Sequence, residues 1–132
     1  MGENSVMAEV VNFNLRSVGF NPVVDDASDT VYILDIHDAE DSPCDLTGYT
    51  AKMDLRPYPR AEAVYDELTT ENGRLKIDGS KVEVHFPASV TAAYDFLKAY
   101  YDLLVMYEGK QWRVAQGVVV FSKEVTANVR KW

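Results

Sequence analysis

Tyr101-Asp102-Leu103-Leu104-Val105-Met106-Tyr107 and Val114-Ala115-Gln116-Gly117-Val118-Val119-Val120 are the two stretches on which the reading of this 132-residue chain turns. Each is rich in β-branched, aromatic and aliphatic residues over the length of one strand, and a short polar piece containing Gly109 separates them. Together they read as a hairpin. Its register decides which side chains meet the core, because a slip of one residue turns a whole row to the opposite face. A four-residue loop over 108–111, the favoured reading, puts Tyr101, Leu103 and Val105 on one face with Val114, Gln116, Val118 and Val120. A three-residue loop instead pairs Leu103 with Ala115 and sets Val118 beside Tyr100. Under the favoured register Tyr100, Leu104, Met106, Val119 and Phe121 share the outer face, which is more apolar than a solvated sheet surface needs to be. Leu104, Met106, Val119 and Phe121 are therefore the candidate protein-interface residues. The competing reading is cover by another part of the chain, or the ordinary apolarity of folded surfaces.

Working outward, the same alternation recurs along the chain. Val11, Phe13 and Leu15 alternate with Asn12, Asn14 and Arg16 as a first strand, behind a polar N-terminal arm over residues 1–9. Phe20 to Asp29, with Pro22 and three aspartates, reads as a loop, and Thr30 to His37 as a strong strand. An acidic connection over Asp38 to Asp45 follows. Tyr49, Ala51, Met53 and Leu55 then form a strand that must stop near Pro57, since proline donates no ladder hydrogen bond. Val64 to Thr70 reads as a further strand, Asn72-Gly73 as a turn, Leu75 and Ile77 as the next strand, and Asp78-Gly79-Ser80 as a turn into Val82, Val84 and Phe86. After Pro87, Ala88 to Tyr94 reads as a helical turn that bridges two sheets. The expectation is an all-β antiparallel sandwich of about seven or eight strands with one short helical turn, residues 10–132 making a single domain.

Composition narrows the function. With 47% hydrophobic and 26% charged residues the chain is globular, and a net charge of −8 with 13 scattered basic residues argues against a nucleic-acid groove. Cys44 is the only cysteine, which excludes an intrachain disulfide and a cysteine-rich metal site. No leader-like or membrane-spanning apolar run is evident, so no membrane partner is expected.

Residues able to carry chemistry form no constellation. His37 and His85 lack the spacing of a metal pair, and Asp38, Glu40, Asp41 and Asp45 lack the spacing and central glycine of an EF-hand calcium loop. No Gly-x-Ser-x-Gly elbow or phosphate-cradling glycine motif occurs, and Cys44 has no cationic neighbour in sequence to activate it. The expectation is a non-enzyme that takes no metal and no cofactor.

Asp45-Leu46-Thr47-Gly48, Asn72-Gly73, the helical turn Ser89 to Tyr94, Tyr101-Asp102-Leu103, Gly117-Val118-Val119-Val120 and Glu124-Val125-Thr126 follow one another in an order and spacing that resemble the immunoglobulin-like domains of tailed-phage virion proteins. The N-terminal domain of baseplate upper proteins is the particular likeness, and it covers residues 45–126. It implies an immunoglobulin-like sandwich and a virion structural protein, assembled in the host cytoplasm, whose partners are other virion proteins and copies of itself. Trp132 comes six residues after Thr126, so the stalk or receptor-binding region of that family is not expected here. A docking or adaptor domain of the tail, baseplate or neck fits this better than a receptor-binding arm. The alternatives are a capsid decoration protein, or a carbohydrate- or cell-surface-binding module in which Tyr58, Tyr65, Tyr94 and Trp112 would have to converge.

Overall fold

The computed structural model describes residues 18–25 and 28–122. The expected arm 1–9, the strand over Val11, Phe13 and Leu15, and the segment Glu124-Val125-Thr126 lie outside the described residues. Among the described residues nine strands and one helical turn follow in order: β1 (Val18–Gly19), β2 (Val23–Asp25), β3 (Thr30–Asp35), β4 (Thr50–Arg56), β5 (Asp66–Thr69), β6 (Leu75–Asp78), β7 (Lys81–Phe86), α1 (Ala88–Thr91), β8 (Lys98–Tyr107) and β9 (Lys110–Ser122). The larger sheet has the order β1-β9-β8-β4-β5 with β2 also on β9, and the smaller has the order β3-β7-β6.

The core follows from period-two alternation. Ala51, Met53 and Leu55 of β4, Leu68 of β5, and Ala99, Tyr101, Leu103 and Val105 of β8 are buried from the larger sheet. Leu75, Val82, Val84 and Phe86 join the same cluster from the smaller one. Each fully buried side chain of this size contributes roughly 1.5–3 kcal/mol relative to exposure. Pro57 ends β4 where expected, and Gly79 (φ 63) supplies the positive φ of the two-residue β6–β7 turn. The helical turn α1 leads from β7 of the smaller sheet to β8 of the larger. Its first N–H, that of Ala88, donates to the Asp29 carboxylate at 2.8 Å, and Thr91 is buried beneath it.

Two expectations need correction. Phe20 to Asp29 is not simply a loop, since it contains β2; β2 and, just before the segment, β1 pair parallel with β9, Val23 opposite Val120 and Val18 opposite Ala115, so the larger sheet is not purely antiparallel. Pro22 is tolerated because it sits between the two strands and serves only as an acceptor, taking the Val120 N–H at 3.0 Å.

The last hairpin also differs. Its turn has two residues, Glu108 (φ 51) and Gly109 (φ 80), and Tyr107 pairs with Lys110. Positive φ at both central positions is the type I′ pattern, whose twist matches that of the strands. A bulge then shifts the register between Leu103 and Leu104, so that Leu104 faces Arg113 while Leu103 faces Ala115. Val114 is the extra residue, and Val114 and Ala115 are both buried. Beyond the bulge Tyr100 lies opposite Val118, the pairing that a three-residue loop would have produced. Val119 (0% exposed) and Phe121 (2%) therefore point into the core, where Phe121 meets Phe86 edge-on at 5.9 Å. They belong to the interior and not to an outer interface.

Candidate docking groove

The outward positions of β4, β8 and β9 form an open groove of about 720 Å³ on the face of the larger sheet that points away from the core. β4 contributes Lys52, Asp54 and Arg56, in alternation with the buried Ala51, Met53 and Leu55. Tyr100, Asp102 and Leu104 come from β8, and Arg113, Gln116 and Gly117 from β9. The loop after β4 closes one side with Pro59, Arg60, Ala61 and Glu62.

Arg56 ties that loop down. Its guanidinium donates to the Ala61 carbonyl and, at 2.6 Å, to the Asp54 carboxylate. Both side chains are partly sheltered, so this pair is worth more than an exposed one. The second oxygen of Asp54, Oδ1, is buried with no hydrogen-bond partner among the described residues. Elsewhere on this face Lys52 meets Glu67 at 3.1 Å, an ionic hydrogen bond that raises the lysine's pKa, and Arg113 stands 3.7 Å from Asp102. Four cations and three anions line the groove of a chain whose net charge is −8. The groove is thus polar and nearly balanced, with Tyr100, Leu104, Pro59 and Ala61 among its less polar parts. Such a surface suits a protein partner of mixed character and gives nothing for a phosphate backbone to follow.

The four sequence-predicted interface residues separate. Leu104 lines the groove and Met106 is half-buried further along β8, opposite Gln111, whereas Val119 and Phe121 are core. The row Lys52, Asp54, Arg56 is legible as the polar half of β4, but nothing in the sequence places the 59–62 loop against it.

The aromatic residues do not converge. Tyr65 and Tyr94 both stack on Phe96, at 3.9 and 4.5 Å, near the end of β4, where the Tyr65 N–H donates to the Leu55 carbonyl. Trp112 packs at the other end of β4, 5.9 Å from Tyr49, which itself stacks on Tyr107 at 4.8 Å. Tyr58 is exposed in the loop after β4. Tyr94 also donates to Asp66, and Arg74 donates to Asp66 at 3.1 Å and to the His85 carbonyl at 3.0 Å. Burial, then the bond to Asp66, pushes the Tyr94 pKa up to about 12. At neutral pH it remains a protonated donor, a link between elements and not a base.

The acidic connection is held by its own backbone. Asp38 is buried and accepts from the N–H groups of Glu40 (2.8 Å) and Ser42 (2.9 Å), and Asp45 accepts from Thr47. His37 lies between Asp41 at 2.9 Å and Asp35 at 3.4 Å, contacts that raise its pKa above the usual histidine value. His85 is paired with Glu83 at 3.0 Å. Among the described residues no group of three or more His, Cys, Asp and Glu side chains is placed to hold a metal ion, and no helix is long and apolar enough to cross a membrane.

Comparison with protein-family models gives no match, and no curated protein matches the chain in sequence.

Proposed function

We propose that this chain is an immunoglobulin-like docking domain of a tailed-phage virion, an adaptor of the tail, baseplate or neck that binds other virion proteins. The resemblance of residues 45–126 supports the virion assignment. Two sheets contributing to one buried cluster, with α1 crossing between them, support the immunoglobulin-like reading. The observation that carries docking is the groove: an open, nearly charge-balanced face with Leu104 and Tyr100 among its lining residues and with Arg56 holding one side in place. It has the polar and apolar mixture of a non-obligate protein interface. Catalysis has no comparable support, because titratable side chains near one another are engaged in ion pairs and loop-holding bonds.

The test is physical association with particles. Phage particles produced by a host carrying the gene are purified by density gradient and probed for the chain by quantitative mass spectrometry. Recovery at a fixed ratio to the major structural proteins is expected. A chain that stays wholly in the soluble lysate would refute the virion assignment, and a decoration role would appear as a copy number matching the capsid lattice.

A further inference from the structure

The outer edge of β3 is open. In the smaller sheet β3 pairs with β7 on one side and, among the described residues, with nothing on the other. The Ile36 N–H donates to the Ser80 carbonyl at 2.8 Å, which sets the phase of the ladder. In antiparallel pairing the bonded positions alternate, so Thr30, Tyr32 and Leu34 turn their peptide groups to β7 while Val31, Ile33 and Asp35 turn theirs to the open edge. Val31 is 47% and Ile33 57% exposed. Tyr32 and Leu34 face the core yet are only partly buried. The other edge strands are shorter or carry charge: β5 opens with Asp66 and Glu67, β6 is four residues long with Lys76 and Asp78 exposed, and β1 and β2 are only two and three residues long. β3 is a six-residue edge with branched apolar side chains at its centre, an invitation to strand addition.

We infer that this edge receives residues 11–16 of a second copy of the chain as an added antiparallel strand. The sequence of that segment fits the edge. Val11, Phe13 and Leu15 would extend the inward row of Tyr32 and Leu34, and Asn12, Asn14 and Arg16 would lie outward beside Val31 and Ile33. The direction of the chain argues against the copy's own segment. β1 and β2 run alongside β9, from Val18 opposite Ala115 to Asp25 opposite Ser122. β3 then returns beside them, the Tyr32 ring 5.4 Å from Phe20 and its hydroxyl donating to the Val23 carbonyl. Val18 stands opposite Ala115, so a straight continuation of β1 before it would lead away from the level of Val31 and Ile33. Continued as a strand at about 3.3 Å per residue, Leu15 to Val11 would fall roughly 10–23 Å beyond Val18. Folded back in a tight turn at residues 16 and 17, its own segment would run parallel to β3 and not antiparallel. A second copy carries no such tether. This edge lies in the smaller sheet, apart from the groove, and its occupancy does not depend on the virion assignment.

Complementation tests it. One variant lacks residues 2–16 and so keeps the edge without the strand. The other, Ile33→Pro, keeps the strand and blocks the edge, at no loss of β3–β7 hydrogen bonds because the Ile33 N–H points away from β7. Sedimentation velocity of the full chain should show concentration-dependent association, each variant alone should sediment as a monomer, and the two mixed should form a 1:1 heterodimer. Circular dichroism melting checks that both are folded, and Ile33→Lys replaces the proline variant if that one is not. A full chain that stays monomeric at every concentration, association that survives both changes, or folded variants that do not form a heterodimer would each overturn the inference.

Discussion

The carbonyl oxygen of Phe20 lies 2.2 Å from where a Cβ on Gly117 would stand. This close approach lets the segment containing β1 and β2 lie flat on β9. The Phe20 N–H donates to the Gln116 carbonyl at 2.9 Å, the Tyr101 hydroxyl donates to the Phe20 carbonyl at 2.6 Å, and the Asn21 side chain accepts the Val118 N–H at 2.9 Å. Gly117 therefore permits the parallel edge of the larger sheet, and it is also a wall of the groove.

Gly117→Ala should detach that segment, because the obstacle is backbone and not the end of a flexible side chain. A loss of about 1–3 kcal/mol is expected in urea unfolding, with faster amide exchange at Val118 and Val120. Wild-type stability and exchange would show that the contact is readily relaxed.

The hairpin register has a direct mutational signature. Phe121→Ala should cost about 3–5 kcal/mol, as for a buried ring, whereas replacing Leu104 and Met106 together by Ser should cost on the order of 1 kcal/mol. Thermal melts of the isolated domain distinguish them. Equal losses would contradict the bulge at Val114.

What the sequence conveys and what it hides are both visible in β4 and β9. Ala51, Met53 and Leu55 alternate with charged residues, so their inward orientation is plain, and the same holds for Val82, Val84 and Phe86 of β7. Val118-Val119-Val120-Phe121 is apolar at every position and carries no phase of its own. Its orientation depends on a turn at Glu108-Gly109, where glutamate is not a typical residue for positive φ, and on a bulge that two adjacent buried residues accommodate. Leu104 was legible as an outward residue on β8. The groove around it was not, because the tie from Arg56 to Ala61 closes a loop by a contact between side chain and backbone that no periodicity records.

That tie should be measurable. Arg56→Met leaves the Asp54 carboxylate partly buried without its cation, at a cost of about 1–3 kcal/mol, and releases the loop. Trypsin cleavage after Arg60 should accelerate relative to the wild type. An unchanged rate would mean that the loop is held by other contacts.

His37 should titrate above 6.5, chiefly through its hydrogen bond to Asp41, with a further contribution from Asp35. The sign follows from linkage: a histidine whose folded pKa is raised stabilises the fold below its unfolded value and loses that contribution as pH rises through the folded one. Asp35, held low chiefly by its hydrogen bond from Ser80, acts oppositely and gives up its share as pH falls below the ordinary carboxylate range. The acidic connection should therefore be held best between the two. An NMR titration of the His37 ring checks this, with Asp41→Asn expected to bring the midpoint down; a midpoint at or below 6.5 in the wild type would contradict it.

Docking into a particle through the outer face of the larger sheet, as proposed above, is tested most directly by the copy number of a groove variant in purified particles. Leu104→Glu replaces the aliphatic side chain of the groove with a carboxylate between its cross-strand neighbours Lys52 and Arg113, without touching the core or the loop tie, so the isolated domain should melt close to the wild type. Its recovery in density-purified particles, by quantitative mass spectrometry against the major structural proteins, should fall at least tenfold. A correctly folded Leu104→Glu protein present at the wild-type copy number would contradict the account.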